Sequence, residues 1–211
     1  MRKGNGGLKN KIIEHISKSK KQYAIIFSVL FIGIAIGVVY VNNLNQAKLE
    51  NTSKYITEFI EKYKVIEKVE VGELFKITIL KNCLIGILIW FFGTTVIGLP
   101  VVFGIVLYKG FSLGHTISVI TISLGTTKSI FFVILSLLLQ NIFVLPGILG
   151  ISVSCMKLYS SIIKDRRTKN IRLEVIRHTI FSLAMLILLI FGAVLESFVS
   201  SNLLKFFVKY F

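Results

Sequence analysis

Acidic residues are scarce in this chain, 10 among 211, and Asp165 is the only aspartate. A paired-aspartate active site is thereby excluded. Only two cysteines occur, Cys83 and Cys155, each inside or beside an apolar block and without CxxC spacing. They are read as small apolar side chains rather than metal or redox groups. Histidine is as sparse, and His15, His115 and His178 are scattered. HExxH, GxSxG and Walker-loop patterns are all missing. The six acids from Glu50 to Glu73 each lie near a lysine on a helical pattern and are read as a solvated face. The sequence therefore assigns no catalytic residue, no metal site and no cofactor. Charge of either sign is thin too, at 17%, against about a quarter in a soluble domain.

Hydrophobic residues, by contrast, make up 54% of the chain, and its mean hydropathy is +0.79. They are gathered into long uncharged blocks separated by lysine-rich stretches, the pattern of a chain solvated by lipid. The net charge of +15 comes from cations just outside those blocks, where they meet anionic headgroups. No RNA-reading aromatic motif or zinc-finger spacing accompanies them, so membrane lipid rather than nucleic acid is the expected partner.

The blocks predict an all-α, polytopic transmembrane bundle of about five spans. Residues 1–22 form a basic N-terminus with seven Lys and Arg, and residues 23–41 form a first span of 19 uncharged residues. That length covers roughly 28 Å, close to the ~30 Å hydrocarbon core. Its length and the polar Asn42-Asn43-Leu44-Asn45 that follows favour a retained span over a cleaved leader. Residues 82–211 carry the other four spans. The uncharged block 82–107 reads as one span kinked at Pro100, with a split pair of half-helices as the alternative. Lys109-Gly110 reads as a turn, and Phe111 to Gly125 as a short third span. A fourth span, 129–156, is expected to kink at Pro146, and a fifth runs from Thr179 to Leu195.

Between the first two spans, residues 42–81 form a polar loop with helical periodicity. Ile56, Phe59, Ile60, Tyr63 and Ile66 recur on one face among glutamates and lysines. Such an amphipathic helix needs a partner for its apolar face: the rest of the protein, the headgroup region or another protein. The loop 157–177 holds seven Lys and Arg, as dense as the N-terminus, whereas 42–81 spreads seven over 40 residues. The two dense segments are accordingly placed in the cytoplasm, with the amphipathic loop and the C-terminus outside.

Few polar residues interrupt the apolar blocks. Glu196 is the one acid there, read either as a functional or assembly residue or as an interfacial one. Gln140 and Asn141 seek partners on neighbouring helices, close to the Pro146 break, and read as helix glue or as a specific intramembrane site. His115 reads as a pore or relay residue or as a structural interfacial one. Gly86, Gly93, Gly98, Gly104, Gly110 and Gly114 recur at short intervals and read as packing positions.

Several short motifs follow one another in a telling order. Lys81-Asn82 opens the second span, then come Gly98-Leu99-Pro100 and Lys109-Gly110-Phe111-Ser112-Leu113-Gly114. Gln140-Asn141-Ile142-Phe143-Val144-Leu145-Pro146 and Leu195-Glu196-Ser197-Phe198 complete the series. With the five-span layout, the basic N-terminus and the single long loop, this order resembles the stage II sporulation protein M family of integral membrane sporulation proteins. The resemblance implies a membrane scaffold without catalysis of its own. Its partners would be two peptidoglycan hydrolases, sporulation proteins D and P, which thin the septal wall and drive engulfment of the forespore. It implies a bacterial cell membrane location, at the sporulation septum and the engulfing mother-cell membrane. The helix at Ile56–Ile66 and Glu196 would serve as partner or assembly surfaces, with self-association also open. A small permease or channel, lined by Gln140, Asn141 and His115, is the competing expectation.

Overall fold

Backbone groups inside a bilayer find no water, so each uncharged block must satisfy its own hydrogen bonds by forming a helix. The computed structural model, which describes residues 19–65, 71–95, 97–164, 170–200 and 202–203, is helical almost throughout. Its elements are α1 (Lys20–Asn42), α2 (Gln46–Val65), α3 (Val71–Gly93), α4 (Gly98–Leu124) and α5 (Thr126–Val133). A π-helical stretch, Ile134–Leu138, joins α5 to α6 (Leu139–Lys164). Last comes α7 (Ile171–Val194), which runs into a second π-helical stretch, Leu195–Ser200. Among the described residues, five helical segments are long and apolar enough to cross a membrane: Lys20–Asn42, Val71–Gly93, Gly98–Leu124, Thr126–Ile163 and Ile171–Val199. The protein is thus an all-α membrane bundle of five candidate spans.

The span limits differ from those the uncharged blocks imply. The block 82–107 is divided between two full-length helices, with the chain turning between Gly93 and Gly98. Pro100 therefore kinks no span. It is the third residue of α4, where the missing N–H would have had no helical acceptor in any case. Lys109-Gly110 makes no turn either, since both residues lie within α4. The turn that ends α4 comes at Gly125, whose φ of 75° suits glycine. The second span starts at Val71 rather than Asn82, because Leu74, Phe75, Ile77, Ile79 and Leu80 extend its apolar surface upstream past Lys81. Pro146 does lie inside a helix, α6.

Large side chains such as Phe31, Ile32, Leu80, Leu84, Phe91, Ile180 and Leu183 point away from the bundle. Facing water they would form a costly apolar surface, whereas facing lipid they are well solvated. The core is made by Ile26 and Leu30 of α1, Ile89 of α3, Val102 and Val106 of α4, Ile148 and Ile151 of α6, and Leu189 of α7. Polar ties cross between helices: Asn82 Nδ2 donates to the Leu189 carbonyl at 3.3 Å, and Trp90 Nε1 to Thr179 Oγ1 at 3.2 Å.

The most extensive packing joins α1 to α4. A Cβ added at Gly37 would lie 2.7 Å from the backbone nitrogen of His115, and one at Gly33 would collide with the Leu107 carbonyl. From the other side, Gly110 and Gly114 are pressed onto the Leu30 and Ile34 carbonyls. Two small-xxx-small pairs thus interlock, backbone against backbone. Gly33 and Gly37 complete a pattern of which the sequence reading recognised only the α4 half.

With each candidate span counted as one crossing, α2 and the end of α7 fall on the side opposite α1's first residue. The contacts of α2 agree. Ile60 is buried with Ile120 of α4 and Phe132 of α5, and Ile56 and Leu124 pack against this group. Those residues flank the α4–α5 turn, which follows the third span and so falls on the same side.

Candidate functional site

Glu196 is presented by the π-helical stretch that ends α7, and Gln140 follows two residues after the other π-helical stretch. The wide turns of a π segment shift the phase of a helix face, and they are frequent at functional sites. The two stretches touch each other, which brings Gln140 and Glu196 together. With its NH2 group turned toward the acid, the Gln140 amide donates to Glu196 Oε1 at 3.0 Å and also to Oε2. One turn before Glu196, Gly192 lets the helices close up, since a Cβ there would collide with Val144.

Two further helices contribute cations. Lys81 of α3 and Lys109 of α4 both interact electrostatically with the Glu196 carboxylate. Lys81 is exposed at the bundle surface, while Lys109, Gln140 and Glu196 are half-buried. A lone charge at the bilayer centre costs ~2.5–3.5 kcal/mol on insertion scales, so grouping opposite charges with an amide donor offsets part of that cost. The result is a four-residue polar cluster, drawn from the second, third, fourth and fifth spans. Phe75 and Phe198 meet edge to face at 5.9 Å on the side toward the end of α7.

Asn141 is buried, and its Nδ2 donates to the Leu137 carbonyl at 2.7 Å, a group within the π-helical stretch. Its Oδ1 has no hydrogen-bond partner among the described residues. His115 lies elsewhere, its ring 6.1 Å from Tyr40 and 5.9 Å from Phe111, beside the glycine crossing. It does not join the Gln140 cluster. Ile60 is taken up by the chain's own bundle, and Ile56 packs against the same group. Tyr55 and Phe59 remain exposed, at 72% and 38%. Tyr63 lies on α2, and Ile66 falls outside the described residues. Among the described residues, no three His, Cys, Asp or Glu side chains group as metal ligands.

The lysines of the cluster escaped sequence reasoning because each stood next to a feature that looked like a boundary. Lys81 closed a charged loop and Lys109 preceded a glycine. The signal was present in Gly110-x-x-x-Gly114, a helix-packing spacing that argues against a turn at that point.

Over residues 25–201 the sequence matches the family stage II sporulation protein M. The chain belongs to that family. All four members of the polar cluster, and the interlocked glycines of α1 and α4, fall inside the matched region. Stage II sporulation protein M is a membrane protein family of sporulation, in keeping with the five candidate spans. Comparisons with curated proteins and with solved structures find no match.

Proposed function

We propose that this protein is a non-catalytic membrane scaffold that binds and localises the peptidoglycan hydrolases of sporulation, sporulation proteins D and P. In this reading it holds them at the septum for wall thinning and forespore engulfment. Family membership supports the sporulation setting. The observation that carries the platform reading is α2. One edge of this twenty-residue helix is seated on the bundle by Ile60. Another presents Tyr55 and Phe59 among Lys54, Glu58, Glu61 and Lys62, all exposed. Aromatic residues ringed by charge have the composition of a protein-binding patch. Lys and Arg density supports a cytoplasmic N-terminus, and in this reading α2 and the Glu196 end face the wall.

Capture from sporulating cells in mild detergent tests the reading. Sporulation proteins D and P should co-purify with the full-length chain, and Tyr55→Ala with Phe59→Ala should lower their recovery several-fold. Purified protein should leave peptidoglycan intact. If neither hydrolase co-purifies, or if the purified chain cleaves the wall, the scaffold reading fails.

A second reading, a small permease or channel, draws on the polar cluster around Glu196 within the spans. Solute flux into liposomes that is lost on Gln140→Ala would favour it over the scaffold.

A further inference from the structure

The end of the bundle opposite Glu196 carries its own polar recess. There α6 and α7 border a cavity of about 340 Å³. Ser154, Lys157, Arg177 and His178 supply its polar wall, Glu174 its one acid, and Leu158 with Phe181 its apolar wall. His178 is buried, with Nδ1 2.9 Å from Ser154 Oγ. A Cβ added at Gly93, the last residue of α3, would lie 3.0 Å from His178 Nε2. The recess is thus level with the end of a span, the depth at which headgroups sit.

Arg177 is oriented by Glu174, its Nη1 donating to Oε1 at 2.8 Å. A guanidinium has further N–H donors in a fixed fork, suited to phosphate oxygens. Lys157 also interacts electrostatically with Glu174. Two cations against one acid leave the recess positive. Between its two walls the sequence adds Lys164, Arg166, Arg167 and Lys169 against the single acid Asp165. The apolar Leu158–Phe181 side matches the glycerol and acyl end of a lipid rather than a fully hydrated ion.

We propose that this recess binds a phosphate group, that of an anionic phospholipid headgroup, with Lys157 and Arg177 holding the oxygens and Ser154 completing the contact. A soluble phosphate monoester is the other source of the same chemistry. Native mass spectrometry of the full chain in detergent, titrated with phosphatidylglycerol, phosphatidylcholine or glycerol 3-phosphate, separates the sources. Phosphatidylglycerol should bind more tightly than phosphatidylcholine of the same chains. The pair Lys157→Gln and Arg177→Gln should weaken it about tenfold or more, as loss of charge-assisted hydrogen bonds predicts. Lys157→Arg should retain it, which separates lost charge from lost folding. Arg172→Gln, outside the recess, should leave it nearly unchanged. Competition by glycerol 3-phosphate without lipid preference would assign the site to a soluble phosphate. Equal binding of both lipids without such competition, or an equal loss on Arg172→Gln, would overturn the proposal.

Discussion

The carboxylate of Glu196 accepts from one neutral donor and feels the charge of two ammonium groups, and the three contribute differently. Gln140→Leu removes the amide and should lower stability by ~1–2 kcal/mol, the upper range for a hydrogen bond between membrane helices. Glu196→Leu strips both lysines of their counter-charge and leaves Gln140 without its acceptor. It should cost more than Glu196→Gln, which keeps a hydrogen-bonding partner. Thermal unfolding of detergent-purified variants measures this order. Equal stability of all three with the parent would mean that the cluster does not hold the bundle together. Glu196 and Gln140 each stood out in the sequence as polar residues in apolar surroundings. Their pairing did not, because it depends on two π-helical stretches whose residues, Ile134–Leu138 and Leu195–Ser200, carry no local mark.

Among the helices, the crossing of α1 and α4 has the least slack. Gly37→Leu should force the two apart and cost ~1–3 kcal/mol, the usual penalty of overpacking. Gly104→Leu should be tolerated, since an added Cβ there meets nothing within 4 Å. The same unfolding assay reads both. Pro100→Ala should change stability by less than ~0.5 kcal/mol, as expected for a site away from core packing and buried hydrogen bonds. The helices themselves were legible from the uncharged blocks, because lipid leaves the backbone no alternative. Their limits were less so. Charge looks like a boundary at Lys81 and Lys109, yet both helices continue through it, because one lysine does not relieve the backbone of its need for internal hydrogen bonds. Amphipathicity pointed to a helix through Ile56–Ile66, and α2 spans Gln46–Val65. Only tertiary packing showed that Ile60 turns toward the bundle while Phe59, its neighbour, stays at the surface.

For the molecule as a whole, the odd number of crossings makes a sidedness prediction that three engineered cysteines can check. In a background carrying Cys83→Ser and Cys155→Ser, an impermeant thiol reagent applied to intact cells should modify Lys62→Cys. It should not reach Arg172→Cys until the membrane is opened, and it should fail at Lys109→Cys on either side. Labelling of residue 172 but not 62 would invert the topology and remove α2 from the wall. The five-span count and its parity could be read from the sequence, since the two blocks misdivided around residues 82–125 still summed to two crossings. The union of α1 with α4 carries a further consequence for how the protein is made. The surface that Gly33 and Gly37 await does not exist until α2 and α3 have left the ribosome, several seconds later at ~5–20 residues per second. During that interval the first helix drifts in the bilayer with its narrowest face bare, held near the growing chain only by its tether. Biogenesis of this protein therefore passes through an α1 that still lacks its main packing partner.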